Sequence, residues 1–495
     1  MAIHLDRRSS VPLVRQLYQE MADRIRSGLL EEGAPLPSIR QLSQQARVSF
    51  MTVVQAYELL EQEGLITRVH GRGTYVGRKE RHDAVEERPV SGLDWQLAIT
   101  DYLPRAQFWR QLQYARPDTA ISLATTTLSP ELVLQLDWTK TIQQIVGDDP
   151  SVLFAYSPVQ GDPALREAAA AYLRAFGLQL VPEELLVMNG AQQGIDQVAR
   201  CFVGPGDIVV TEAPTYSAAI DVFRGRGATI RTIPVDEEGM RVDLLAPLLD
   251  REPPKLIYTV PTYQNPTGVV MSARRRAQLL DLAESCHCLI LEDDPWGELT
   301  YSGEIPPTIK SMDRHGHVIY LKGFSKMLAP GCRVAVLAAS GTVLTRLTAA
   351  KTLADLGSPL LTQRVVAALL SSPKMSKYLK QLQVKLHRRR NLVLTLLEQH
   401  APQGISWTVP QGGSNIWITL PTWLSADELI FPAGQRQIDF MPGSICYPGE
   451  PEAHHLRISF SFAEEKKLAE GIVELCKLFS AEIEQQSHTG KLPTI

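Results

Sequence analysis

The chain has 495 residues, 44% of them hydrophobic, with 50 Lys and Arg against 54 Asp and Glu and a net charge of −4. This length outgrows one compact core, so two or three domains are expected, and no stretch is apolar enough to cross a bilayer or act as a secretory signal, which predicts a cytoplasmic protein with no membrane partner. Six sparse cysteines argue against a disulfide framework, and Cys286 and Cys288, flanking His287, lack the second ligand pair that zinc needs, so no metal is expected.

In chain order, Pro12 opens a helix with Leu13, Leu17, Met21 and Ile25 at helical spacing and Gly28 as its stop. A second short helix is expected from Pro37-Ser38, with Ile39 and Leu42 inward. Ser49 caps a third helix carrying Val53, Ala56, Tyr57 and Leu60, which Gly64 ends. Strands at Leu65 to Val69 and Thr74 to Val76, joined through His70-Gly71-Arg72-Gly73, complete a winged helix over residues 1–78. Residues 79–115 read as a charged linker and an aromatic arm that includes Trp95, Tyr102, Phe108 and Trp109. From 116 to 485 short apolar strands alternate with helical stretches, the pattern of an α/β domain with a mainly parallel sheet, and 486–495 form a polar, flexible tail.

Residues 1–78 hold ten Arg, no Lys and eight acids, a balance of only +2, so placement carries more weight than charge. Arg40 falls at the start of the second helix, Arg47 just before the third, and Arg68 and Arg72 bracket the wing, as phosphate contacts require. Ser49 and Thr52, with Gln55 beyond, are small and polar enough to enter a major groove. On spacing alone, a protein-interaction domain with a solvated basic face stands level with this reading.

The run Leu36-Pro37-Ser38-Ile39-Arg40, then Val48-Ser49 to Thr52-Val53, Ala56-Tyr57, Glu63-Gly64 and Arg68-Val69-His70-Gly71-Arg72-Gly73-Thr74-Tyr75-Val76, resembles the GntR-type winged helix over its full length. The resemblance implies a double-stranded DNA operator as partner, with Arg40 and the wing tip at His70 and Gly71 touching it. Phe50 stands where that family usually has Arg, so base readout there must differ.

In a parallel sheet, ligands gather at the carboxyl ends of strands. Five apolar runs end in suitable residues: Asn189-Gly190-Ala191-Gln192-Gln193, Pro214-Thr215-Tyr216, Asn265-Pro266-Thr267-Gly268, Glu292-Asp293-Asp294, and Lys322-Gly323-Phe324-Ser325-Lys326 with Arg333 beyond. An isolated Lys after a strand is usually a surface residue, and an isolated Asp a helix cap. Jointly, an anion cradle, a stacking ring, an amide, a carboxylate, a lysine and an arginine form the inventory that pyridoxal 5'-phosphate requires. The basic run His387-Arg388-Arg389-Arg390 reads as a solvated helix face.

These residues resemble fold-type I aminotransferases, with a small C-terminal subdomain implied. On that resemblance Lys326 carries the cofactor as a Schiff base, Asp293 pairs its pyridine nitrogen, Asn265 bonds its ring hydroxyl and Tyr216 stacks on its ring. Gly190, Ala191 and Gln192 with Arg333 hold the phosphate, Ser325 and Trp296 adjoin the cofactor, and Tyr156 reaches the phosphate of a neighbouring subunit. Arg457 grips a substrate carboxylate. The sequence departs from the family at Gly323, where a hydroxyl residue is usual, and at Trp296, where Tyr is usual.

Fused to a GntR-type winged helix, the whole resembles the MocR group of regulators, which implies a homodimer that senses an amino acid, an amine or pyridoxal phosphate itself. An active aminotransferase using an amino acid donor and a 2-oxo acid acceptor stands as the alternative. A third reading, a dimerisation module that keeps the fold without the cofactor, draws on Gly323 and Trp296.

Overall fold

The structure, a computed structural model, describes residues 12–26, 30, 34–46, 48–69, 73–77, 120–133, 136–249, 251–449 and 451–488. The linker and arm expected at 79–115, the wing-tip residues His70, Gly71 and Arg72, Arg47, and residues 489–495 lie outside this set. Contacts divide the chain into two units, Met1–Pro104 and Arg105–Ile495.

In the first unit, α1 (Leu13–Arg26), α2 (Ile39–Ala46) and α3 (Phe50–Gln62) precede a ribbon of β1 (Ile66–Val69) and β2 (Gly73–Val76). Leu17 and Met21 of α1 meet Leu42 of α2 and Val53, Ala56, Tyr57 and Leu60 of α3, all buried. Each large aliphatic side chain removed from water there contributes about 1.5–3 kcal/mol. Ser49 holds an extended conformation at the N-cap of α3, and its Oγ accepts the Thr52 N–H at 3.1 Å. Beyond the helix, Gly64 adopts φ +70°, a left-handed conformation that L side chains resist. The Tyr57 hydroxyl donates to Pro37 O at 2.7 Å and ties α3 to the approach to α2. The ribbon is antiparallel, Ile66 opposite Val76, and is flanked by chain before α2, where Val76 N–H donates to Ala34 O at 3.0 Å.

The second unit is built on an eight-stranded sheet. Its strands are β4 (Leu185–Met188), β5 (Ile208–Ala213), β6 (Thr229–Asp236), β7 (Gly239–Met240), β8 (Leu256–Thr259), β9 (Leu289–Asp294), β10 (Val318–Gly323) and β11 (Ala335–Ala338), preceded in the chain by β3 (Ile121–Ser122). The order is β4-β11-β10-β9-β8-β5-β6-β7. Neighbours from β10 through β6 are parallel, while β11 and the two-residue β7 run against them. Every residue of β4, β8 and β10 is buried, the continuous apolar signature of a sheet covered on both faces. The carboxyl ends of β5, β8, β9 and β10 therefore share one edge.

A second, antiparallel sheet forms the small C-terminal subdomain from β12 (Ser406–Trp407), β13 (Asn415–Thr419), β15 (Met441–Pro442) and β16 (His455–Ser459), in the order β12-β13-β16-β15. The intervening β14 (Ile438–Asp439) pairs in parallel with β3. The final helix, Glu465–His488, runs into the segment expected to be a flexible tail.

The basic run at 387–390 differs from the sequence expectation. It lies in the helix Met375–His400, where Leu386, Arg389, Arg390 and Val393 share the buried face at helical spacing. Arg389 pairs with Glu131 and donates to Ser461 O at 3.1 Å; Arg390 donates to Pro410 O at 2.8 Å. Arg388 alone of the three is exposed, at 75% of its side chain. Two guanidinium groups here are internal struts rather than a solvated stripe. Arg389→Leu is expected to cost the second unit about 1–3 kcal/mol by breaking the Arg389–Glu131 pair and removing one of the two donors to Ser461 O, which Ser129 N–H also reaches at 2.9 Å, read as a lower thermal unfolding midpoint, whereas Arg388→Leu should stay within about 0.5 kcal/mol of the parent.

Candidate functional site

In the first unit the exposed residues at the start of α3 are Ser49, Met51 and Gln55, with Thr52 half-buried. Ser49 Oγ also lies 2.8 Å from Thr52 Oγ1, so both hydroxyls are partly committed to the cap. Arg40 sits in the first turn of α2, and Arg68 in β1 opposite Thr74. A DNA reader of this class presents the N-terminal turn of its third helix to the major groove.

In the second unit, a cavity of about 570 Å3 opens at the carboxyl edge of the large sheet, lined among others by Tyr216, Asn265, Asp293, Trp296, Lys326 and Arg457. Several strand ends supply them: Asp293 is the penultimate residue of β9, with Trp296 just beyond that strand, Lys326 follows β10 by three residues and Arg457 lies in β16. Lys326 Nζ donates to Thr126 Oγ1 at 2.8 Å and Thr126 O at 3.3 Å, and stands 5.3 Å from the Trp296 ring centroid. Burial, with the positive charges of Arg457 and Arg333 adding to it, pushes the lysine down to about 7.

Asp293 Oδ2 accepts the Tyr258 hydroxyl at 2.9 Å, whereas Oδ1 is buried with no partner. Burial raises this carboxyl to about 7. A buried acceptor aimed into a cavity without a donor calls for one from a ligand. Tyr216, raised to about 12 mainly by burial, stays a phenol and donates to Gln192 Oε1 at 3.1 Å. Asn265 Oδ1 accepts from Arg457 Nη1 at 3.2 Å and from Asn415 Nδ2 at 3.4 Å. Arg457 is 4% exposed; it donates from Nη2 to Ala124 O at 2.5 Å and keeps a buried Nε without a partner. Burial lowers it to about 10, still cationic at neutral pH.

At the opposite end of the cavity the helix Ala191–Phe202 begins after Gly190, whose φ is +88°. A Cβ on Gly190 would collide with the Arg333 guanidinium, which donates to Asn189 O at 3.3 Å. Glycine is thus what lets a cation sit against a helix N-terminus, a combination that suits an anion. Ala191 and Gln192 line the cavity. Gly190, Arg333 and Ser325 adjoin it without lining it.

Three sequence-selected residues behave distinctively. Tyr156 is 87% exposed and takes no part in its own chain's cavity. Trp296 walls the cavity, but its buried Nε1 has no partner. At Gly323 a Cβ would meet Ala191 Cβ at 3.5 Å, ordinary contact, so sterics do not exclude a hydroxyl residue there. Sequence reasoning missed Thr126, Tyr258 and Asn415. The polar run Thr125-Thr126-Thr127 soon after β3 was the available signal for the first; nothing local marks the other two.

The donor set fits pyridoxal phosphate: an amine of low basicity, an unpartnered carboxylate oxygen, a stacking phenol, and a helix N-terminus beside Arg333. Comparison with known proteins bears on the same point. Residues 130–473 match the family "Aminotransferase class I and II", and 13–76 match "Bacterial regulatory proteins, gntR family". The HTH-type transcriptional regulator YisV of Bacillus subtilis is 33% identical over 94% of this chain and 96% of its own length. The probable rhizopine catabolism regulatory protein MocR of Rhizobium meliloti is 27% identical over 96% of each. The alpha-aminoadipate aminotransferase LysN of Thermus thermophilus, solved with N-(5'-phosphopyridoxyl)-L-leucine, superposes with a TM-score of 0.74 at 31% identity, over 79% of this chain and all of that one. The chain is a winged-helix regulator with an aminotransferase body: it belongs to the aminotransferase class I and II family, in the MocR-type branch whose members carry a gntR-family DNA-binding domain. Among the described residues no helix is long and apolar enough to cross a membrane.

Because only the neutral amine attacks an aldehyde, covalent capture of pyridoxal phosphate by the apo chain should rise with pH up to about 7 and level off above, in line with the lowered lysine. Removing a positive neighbour with Arg457→Leu should move that midpoint upward. The rate of appearance of the visible band across pH checks both; a parent midpoint near the ordinary lysine range would contradict this electrostatic picture.

Proposed function

We propose that the chain is a cytoplasmic, pyridoxal 5'-phosphate-dependent transcription regulator that binds a double-stranded DNA operator and senses an amino acid or related amine. One observation carries the reading: the lowered Lys326 amine and the unpartnered Asp293 Oδ1 face one cavity with an anion cradle at its end. Lys326 would hold the cofactor, Asp293 its ring nitrogen, Tyr216 its ring face, and Gly190, Ala191, Gln192 and Arg333 its phosphate. When bound, the cofactor supplies an aldehyde that an effector amine can exchange onto. The residues do the rest: Arg457 offers its unpaired Nε to a carboxylate, Asn265 keeps that guanidinium in place, and Thr126 receives the Lys326 amine. In the first unit Arg40, Ser49, Thr52, Arg68, His70, Gly71 and Arg72 are the proposed DNA contacts.

A homodimer belongs to this proposal. Leu153, Phe154 and Tyr156 are 53%, 85% and 87% exposed on one turn, an apolar group whose burial by a second copy is favourable. Tyr156 would then serve the partner's phosphate cradle. The intact lysine, aspartate and arginine also support the alternative, an active aminotransferase, and steady turnover of an amino donor with a 2-oxo acid would favour it.

A ligand alters DNA binding only if its affinity differs between arrangements of the protein. After reconstitution with pyridoxal phosphate, the full chain should show a visible absorption band and a mass increase after borohydride reduction, and Lys326→Ala should show neither. Its affinity for an operator selected from random DNA should differ between cofactor-loaded and amine-treated protein. Equal operator affinity in apo, loaded and amine-treated forms would end the sensing account.

A further inference from the structure

A second cavity, of about 410 Å3, lies on the opposite face of the large sheet from the first. Alternation along β9 separates them, since Asp293 lines one and Asp294 the other. β10 contributes Tyr320 and Lys322, both buried. Lys322 Nζ pairs with Glu298 Oε2 and lies 3.6 Å from Asp294 Oδ2. Asp294 is otherwise satisfied: Oδ1 accepts the N–H groups of Trp296 and Gly297 at 3.2 and 2.7 Å, and Oδ2 the Tyr320 hydroxyl at 2.6 Å.

Glu298 is not satisfied. It lines the cavity at 2% exposure, and its Oε1 is buried without a hydrogen-bond partner. The buried Arg276 guanidinium acts on Asp294 from behind this wall, donating to Thr262 Oγ1 at 3.0 Å and to the carbonyls of Pro306 and Pro307, yet Glu298 Oε1 keeps no hydrogen-bond partner where burial makes an unsatisfied carboxylate oxygen costly. Burial accordingly pushes the Glu298 carboxyl upward, toward taking a proton that a bound cation would replace. The rest of the wall is mixed, with Tyr172 and Phe176 beside Leu173, Ile305, Pro306 and Pro307. Tyr172 and Phe176 pack with ring centroids 5.1 Å apart, and Phe176 is 42% exposed. Aromatic faces carry negative partial charge and attract alkylammonium groups.

We propose that this cavity binds a small organic cation, an alkylammonium whose N–H donates to Glu298 Oε1 while its apolar part lies against Tyr172 and Phe176. The site goes beyond the cofactor reading and makes no use of Lys326.

The test is calorimetric titration of the full-length, cofactor-loaded protein with N,N-dimethylbutylammonium chloride. This tertiary amine has one N–H donor and cannot condense with an aldehyde. Saturable binding is expected, weakened at least about tenfold in Glu298→Gln, which retains an acceptor for Lys322 but loses the charge. Phe176→Ala, a change at the surface that leaves the buried ion pair intact, should weaken binding by about two- to fivefold and carries the test should Glu298→Gln not fold. Lys326→Ala should bind as the parent does. The proposal is overturned by any of four results: no saturable binding; unchanged affinity in a folded Glu298→Gln or in Phe176→Ala; loss of binding in Lys326→Ala, which would place the amine in the first cavity; or an equal response to potassium chloride.

Discussion

An amine buried beside guanidinium groups, with a neutral threonine as its hydrogen-bond partner, holds its proton weakly, and the character of the candidate site depends on this arrangement at Lys326. Four residues earlier, Lys322 is buried as well, yet two carboxylates face it and hold it above the ordinary lysine range. The same side chain, on one strand and the turn that follows, is thus prepared for opposite roles. Burial acts on both, and the sign of the neighbouring charge decides which effect wins.

The two aspartates at the end of β9 repeat the contrast. Asp294 is fully engaged by a hydroxyl, two backbone N–H groups and a lysine, so it acts as structure. Asp293, one residue earlier and on the other face, has one oxygen held by Tyr258 and one left without a partner, so it can receive a ligand. The sheet is what makes such divisions sharp. Its central strands are parallel and buried on both faces, so each residue at the carboxyl edge is assigned to one side by alternation alone.

The winged helix rests on different physics. It is a small apolar core closed by local devices: a serine cap at the start of α3, a left-handed glycine after its end, and a hydroxyl that ties α3 to Pro37. These devices leave Ser49 and Met51 exposed at the start of α3, the part of the helix that a reader of base edges presents. Regulation asks that chemistry in one unit alter the affinity of the other, and the free energy for it must come from ligand contacts that differ between states.

The sequence by itself determined what neighbouring residues encode. Helical spacing and the Ser49 cap marked α3, the turn glycines marked the wing, and the ordered ends of apolar runs picked out Lys326, Asp293, Asn265 and Tyr216, because such signals lie within one turn or one strand end. Only the tertiary structure decided which partners meet those residues. Thr126 reaches Lys326 across 200 positions of sequence, Tyr258 meets Asp293 from an adjacent strand, and Glu298 pairs directly with Lys322. It also turned Arg389 and Arg390 inward, against a reading from charge alone. The physical reason is that periodicity tells which residues share a face, whereas strand order and helix packing determine what that face meets, and the charge it meets sets the chemistry.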